Sequence, residues 1–563
     1  MLSPEEMQTL EGTVRQLMAE RKFSVMAELI EHYRKDEPDN PVLAIWLVDV
    51  YLLGKRRDDA EKVLSDIKDR HPDHPLAYWG LARIAIKLGD HEKVEAMLAD
   101  AEQKLAAYPG AVSTRWFTDS YLGLARIYNE RGEHSRARDV CRRHLSLNPG
   151  FFNAYRFIFS SWLADGRLDK AGDAAREAMR TVRDAGERLE AAVCERLCRW
   201  AEGALPEIVA RARTAAWPAA GRPGIVLAQV VWGEKYINTF IYHLRSLLAP
   251  GNLPEMARDM DVLMVLVTTE QDLASLRERG ILDAFEGIMK FEFVIIPPDI
   301  HTTGDRSLPG ETPYYLYAIG QHFGIAFARQ AKAGVCLLTA DLINADGLFG
   351  HVARLAKEGR KGVVGTGMIC NRDAFMKKLE GPGEERTAPL ILSPRKLTEL
   401  AVGNLHEFIE RAIVSPDNGD FDNPPAVLYW RSDEGLIGHG FNLHPVYVAP
   451  EVLAAYETHC YERVDGMLLQ KLFGDRALWE DLAVMTDSDT FCLVTLADED
   501  KYPCSTGYPF DIELERNYVR DRHLVHDLNI WLFRHKLIFR WPEEQRRKNE
   551  YDPLTVENIL AAR

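Results

Sequence analysis

The feature that most constrains this chain is a spacing of 34 residues that recurs through its first 205 positions. Pro38 and Pro72 are 34 apart, in Asp-Glu-Pro-Asp-Asn-Pro and Arg-His-Pro-Asp-His-Pro, and Gly132 and Gly166 repeat the interval. Ala60 and Val94 are also 34 apart, where a small side chain lets the second helix of a pair pack on the first. From Gly89 to Gly132 the interval is 43, so the loop around Tyr108-Pro109-Gly110 carries an insertion. A fixed period of this length is the mark of stacked helix pairs, none of which can bury its apolar face alone. Glycine permits the tight turn within a pair and proline stops the pair.

Tyr121, Leu124, Ala125, Tyr128, Gly132, Ala137 and Pro149 form the best copy. Tyr78, Leu81, Ala82 and Gly89 form another, and Tyr155, Trp162, Gly166 and Ala171 a third. These copies resemble the tetratricopeptide repeat. The resemblance implies about five repeats between residues 5 and 183, a capping helix from 187 to 212, and a surface for a protein partner.

A Pro/Gly/Ala-rich joint at 215–224 ends the helical pattern. Beyond it, short apolar runs alternate with helical segments: Ile225 to Trp232, Asp261 to Thr268, Phe291 to Ile296, Val335 to Leu338 and Lys361 to Thr366. Largely apolar strands interleaved with helices predict a mostly parallel, Rossmann-like sheet covered on both faces. The expected organisation is therefore an α-helical solenoid over 1–212 and an α/β domain over 222–563. For the terminal stretch from Arg516 to Trp541 the pattern predicts a basic amphipathic helix.

The strand ending at Leu338 leads to Thr339-Ala340-Asp341, and Asp346 follows beside Gly347. An acid at the carboxyl end of a buried strand stands where open α/β sheets bind ligands. Residues 222–370 resemble the nucleotide-binding half of GT-A glycosyltransferases. The resemblance implies a nucleotide-sugar donor, a divalent cation (Mn2+ or Mg2+), and a protein or glycan acceptor. It further implies donor contacts at Val231, Trp232, Asn238, Thr268 and Thr339, with Asp341 handling the diphosphate. Asp341, Asp346, His439 and His444 are the implied metal ligands; Asp433 and Glu434 are candidates for acceptor contact or general base, since an inverting transfer needs a carboxylate near the acceptor hydroxyl. The usual Asp-x-Asp here holds one acid only, which leaves metal dependence open. Five residues separate His439 from His444, so both reach one site only if the backbone bends at Gly438 or Gly440. Asp465 and the Asp487-Ser-Asp489 pair complete the acids considered, the latter reading as a solvated loop pair.

Two alternatives stand beside the transferase. One is a non-catalytic repeat scaffold with a degenerate saccharide- or nucleotide-binding domain; the other is a two-Rossmann GT-B enzyme, which needs a second parallel half after residue 370. The net charge of −16 argues against nucleic acid, whose binding rests on cationic neutralisation of phosphates. No apolar run approaches the roughly 18 to 20 residues needed to span a bilayer. The N-terminus lacks the charged and apolar regions of a signal peptide. Eight scattered cysteines without a CxxC pair fit a reduced, cytoplasmic setting, with Cys194 and Cys198 on a core helix face.

Overall fold

The computed structural model describes residues 3–19, 22–38, 40–53, 56–87, 90–108, 115–301, 308–379, 387–414, 427–456, 461, 468–499, 512, 526–540 and 549–561. Gly89, Pro109, Gly110 and Asp465 lie outside them. The chain divides into two compact units, one spanning Met1–Ile158 and a second built from Phe159 onward.

Up to Thr214 the described residues are helical. Ten helices run in pairs: α1 (Pro4–Ala19) and α2 (Phe23–Asp36), α3 (Pro41–Leu53) and α4 (Arg57–Arg70), α5 (Pro75–Lys87) and α6 (His91–Lys104), α7 (Arg115–Glu130) and α8 (His134–Leu147), α9 (Phe152–Ala164) and α10 (Leu168–Thr181). The sequence period is visible in their packing. Ala60 and Val94 are fully buried, as are Tyr121, Leu124, Ala125 and Tyr128. Gly132 and Gly166 both take φ near +70°, at +74° and +68°, a conformation that other residues adopt at a cost. At Gly80 a side chain would meet the Trp116 ring at 2.8 Å, so the helices of neighbouring pairs approach closely only because the Cβ is missing.

The boundary between compact units falls inside α9, not at the joint at 215–224. The change from helix to sheet does fall at the joint, between Thr214 and Gly224. The reason for the difference is α11 (Ala185–Thr214), the helix expected to cap the array. It buries Cys194, Leu197, Cys198, Ala201 and Ile208 in the same core as the sheet. Trp200 meets Phe323 edge-on at 5.1 Å. Arg211 reaches Glu292 at 2.5 Å.

The second unit contains β1 (Gly224–Val230), α12 (Glu234–Leu247), α13 (Leu253–Asp259), β2 (Asp261–Thr268), α14 (Glu270–Glu278), β3 (Met289–Ile295), α15 (Pro298–His301), α16 (Thr312–Ala331), β4 (Gly334–Leu337), β5 (Leu342–Asn344), α17 (Leu348–Lys357), β6 (Gly362–Gly365) and β7 (Met368–Asn371). Strands β8 (Val427–Arg431), β9 (Gly435–Gly440), β10 (His444–Val448), β11 (Leu482–Val484), β12 (Leu493–Ala497) and β13 (Leu537–Arg540) follow. The main sheet has the order β11-β6-β10-β4-β1-β2-β3. β1 pairs parallel with both β2 and β4, and β10 is inserted antiparallel between β4 and β6. Two three-stranded sheets, β5-β12-β7 and β13-β9-β8, flank it.

Helix α16 lies directly on β1. A Cβ at Gly324 would fall 2.9 Å from the Ala228 Cα, so glycine sets that spacing. The terminal stretch departs from expectation. Helix covers Asp527–Phe533, whereas Leu537–Arg540 is strand β13, because its β-branched and aromatic residues pair antiparallel with β9. Trp541 and residues 513–525 lie outside the described residues.

Candidate functional site

Because β1 has β2 on one side and β4 on the other, the strand order reverses at β1. The crevice beyond the carboxyl ends of β1 and β4 is the position where open α/β sheets receive ligands. Several residues converge there. β1 ends in Val230, followed by Val231, buried, and Trp232, half-buried. Gly233, at φ +84°, then turns the chain into α12. Its N–H is held by Asp272 at 2.8 Å, and Asp272 also accepts from the hydroxyl of Thr269 (2.7 Å), the residue that caps α14 by accepting the Asp272 N–H. The loops after β1 and β2 are thereby tied together.

Four buried polar atoms without partners belong to residues around these strand ends. Val230 and Val267 meet Gly320 of α16, so Gln229 and Thr268 point to the opposite face of the sheet. Both are fully buried, and Gln229 Oε1 and Thr268 Oγ1 find no hydrogen-bond partner among the described residues. Thr339 Oγ1 and Gln321 Oε1 are in the same condition. Gln321 donates through Nε2 to the Leu338 carbonyl at 2.7 Å, where β4 gives out. These atoms do not form one cluster, since Gln229 and Thr268 face away from α16 and Gln321 belongs to it. Gln229 carried a signal in the sequence, as the one polar side chain of an apolar strand.

Asp341 follows β4 and opens β5. The residue is 8% exposed, and its backbone carbonyl accepts the Leu496 N–H at 2.8 Å. His243 of α12 lies beside it, with Nδ1 3.0 Å from the Leu342 carbonyl. Burial pushes the His243 pKa down to about 4, offset only in part by that bond and by the charge of Asp341.

The remaining expected site residues are placed otherwise. Asn238 is exposed on α12, and its carbonyl oxygen takes a hydrogen bond from Arg279 at 2.9 Å. Asp346 accepts the Gly251 N–H at 2.6 Å, and its own N–H bonds to the Leu392 carbonyl, which makes it a joint between two loops. His444 opens β10 beside β4, with Nε2 2.6 Å from the Leu337 carbonyl. His439 belongs to β9, in a different sheet. Its two ring nitrogens face the Phe533 carbonyl (2.7 Å) and the Tyr551 hydroxyl (3.0 Å), and burial holds its pKa near 4. The two histidines therefore belong to different sheets, His439 to that of β9 and His444 to that of β10.

Asp433 and Glu434 are exposed in the β8–β9 turn, where Glu434 pairs with Lys536 at 3.4 Å. They stand at the far end of β9 from Gly440, roughly 20 Å along the strand. Asp487 and Asp489 are ion-paired with Arg540 and Arg395, and Asp489 stays exposed. Among the described residues no three His, Cys, Asp or Glu side chains form a group fit to hold a metal ion. The four implied metal ligands, Asp341, Asp346, His439 and His444, therefore do not make one shell.

The first unit has a cavity of about 240 Å³ between inter-helix loops, bordered by Pro38, Asn40, Arg70, His71, His74 and Tyr108.

Comparison with known proteins bears on the helical part. The family model described as tetratricopeptide repeat matches residues 17–78. The N-terminal region contains tetratricopeptide repeats. No curated protein matches the chain. A thermophilic TPR protein of Thermus thermophilus is 21% identical over 33% of this chain and 97% of its own, with a TM-score of 0.25. PilW, a type IV pilus biogenesis factor, is 16% identical over 38% and 94%, with a TM-score of 0.26. An O-GlcNAc transferase mutant of Thermobaculum terrenum is 10% identical over 86% and 90%, with a TM-score of 0.16. At such TM-scores none of these overlays carries an argument about site or activity. No helix among the described residues is long and apolar enough to cross a membrane.

Proposed function

We propose that the chain is a nucleotide-sugar-dependent glycosyltransferase whose repeats recruit a protein acceptor or assembly partner. The observation that carries the reading is the position of Asp341, a mostly buried carboxylate at the carboxyl end of β4, beside the strand-order reversal at β1. Val231, Trp232, Thr268 and Thr339 form the donor wall in this reading; Asn238 is less suited, being occupied by Arg279.

In the transfer, the bond from the anomeric carbon to the diphosphate breaks and its electron pair leaves on the phosphate oxygen. The acceptor oxygen forms the new bond to that carbon and releases its proton to solvent. The protein's task is to hold both partners in line and to meet the charge growing on the diphosphate. Asp433 and Glu434 are poorly disposed to serve as base, because they lie on an exposed turn where Glu434 is paired with Lys536. A divalent cation enters this reading only as a companion of the donor. One carboxylate, Asp341, with phosphate and water oxygens is a shell Mg2+ accepts.

A non-catalytic nucleotide- or saccharide-binding scaffold draws on the structural bonds that occupy Asp346 and His439. A nucleotide-sugar panel scored by thermal shift, with and without Mn2+ and followed by donor hydrolysis, separates the two. Binding with turnover supports the transferase, binding without turnover supports the scaffold, and no binding removes both.

A further inference from the structure

Three segments distant in sequence meet at the rim of this crevice. Lys235 is the second residue of α12, just past β1. Arg372 directly follows β7 and Asp498 directly follows β12. β7 and β12 are parallel, with Ala497 opposite Asn371, so both residues emerge at the same edge. The two carboxylate oxygens of Asp498 are divided: Oδ1 takes the Arg372 guanidinium at 2.6 Å and Oδ2 the Lys235 ammonium. β12 also pairs antiparallel with β5, Thr495 opposite Leu342, and the Leu496 bond to Asp341 continues that register. Asp498 thus stands two residues beyond the Leu496 whose N–H bonds to the Asp341 carbonyl.

We propose that Lys235 and Arg372 form a diphosphate-binding pair held ready by Asp498, so that fixed cations rather than a resident metal ion meet the donor. The proposal rests on the donor reading above and explains why the four implied metal ligands do not assemble. Asp498 is one largely buried carboxylate serving two cations. Of the other acids nearby, Asp373 touches Arg372 at 3.2 Å but is 86% exposed, where water screens it, and Glu234 is exposed on the first turn of α12. An ammonium has three N–H donors and a guanidinium five. Lys235 spends one on Asp498, and Arg372 spends one there and one on Asp373, so both keep donors for a second anion. A planar fork beside a point charge suits the closely spaced oxygens of a diphosphate. The same two charges repel a divalent ion.

Asp498 is a positioning residue. The ring of His406 stands 2.9 Å from its carbonyl through Nε2, and the ion pairs hold two long side chains over the strand ends before a ligand arrives. Ordering them in advance removes an entropy cost from binding.

The test is calorimetric titration of the full chain with inorganic pyrophosphate in EDTA, with thermal melts confirming that each variant is folded. The wild type is expected to bind without metal. Lys235→Met and Arg372→Met should each weaken binding by about tenfold or more, with Arg372→Lys intermediate because it keeps the charge and loses the fork. Added Mn2+ should bring no gain. Binding that appears only with Mn2+, binding unchanged in both methionine variants, or no binding at all overturns the pair. Nucleotide sugars titrated in the same buffers keep the two claims apart. A donor bound only with Mn2+ removes the pair and leaves the transferase reading. Pyrophosphate bound through the pair, with no nucleotide sugar bound, removes the donor reading and leaves an anion site.

Discussion

Leu496 donates its backbone N–H to the carbonyl of Asp341 at 2.8 Å, and through that bond the end of β4 is joined to a second sheet. Asp341 leaves the main sheet after β4 and enters the β5-β12-β7 sheet one residue later. The backbone of Asp341 is thereby fixed at the junction of the two sheets.

Asp346 is expected to matter for stability rather than chemistry. Asp346→Ala leaves the Gly251 N–H without its acceptor and should cost about 1–3 kcal/mol, the range for an unsatisfied buried donor. Asp346→Asn keeps an acceptor and should cost less. Urea unfolding of the two variants checks this, and nucleotide affinity of the folded protein should be unchanged.

Acid should destabilise the protein in a defined window. Burial depresses the pKa of His144, His243 and His439 from about 6.5 to about 4. Between those values the unfolded chain binds protons that the folded chain refuses, so stability falls as pH drops from 6.5 towards 4 and is level just above 6.5. Each such histidine contributes about 1.4 kcal/mol per pH unit across the window. Urea midpoints measured from pH 4 to pH 8 should show this slope, and His439→Phe should flatten it. A slope of opposite sign would mean these rings are charged in the folded state.

The compact units predict where the chain can be cut. A fragment of residues 159–563 keeps α11 against α16 and should melt cooperatively. A fragment of residues 214–563 loses Leu197, Cys198, Ala201 and Ile208 from the core and exposes Phe323, and should melt well below it. Paired thermal melts decide the matter. If the shorter fragment is equally stable, α11 belongs functionally to the array.

What the sequence disclosed follows from which forces are local. The repeat was legible because every pair must solve the same packing problem with the same small and large residues. β2 was legible to the residue, Asp261 to Thr268, because a strand buried on both faces is one apolar run. Asp341 was visible as a lone acid closing such a run. The third sheet was hidden, because β13 finds β9 across about a hundred residues and its short stretch fits helix or strand equally well. His439 looked like a ligand for the same reason: the Phe533 carbonyl and Tyr551 hydroxyl that satisfy it are supplied from far along the chain. Asp498 had no motif around it at all, since its meaning comes only from Lys235 and Arg372.

Asp341→Asn, assayed for nucleotide-sugar hydrolysis alongside the wild type, tests the central claim most directly. The substitution keeps size and removes charge, so the thermal midpoint should stay nearly unchanged while turnover falls by about 10²-fold or more, the scale for losing a preorganised electrostatic element. Turnover in the variant equal to that of the wild type would contradict the assignment of the crevice beyond β1 and β4 as the reacting centre.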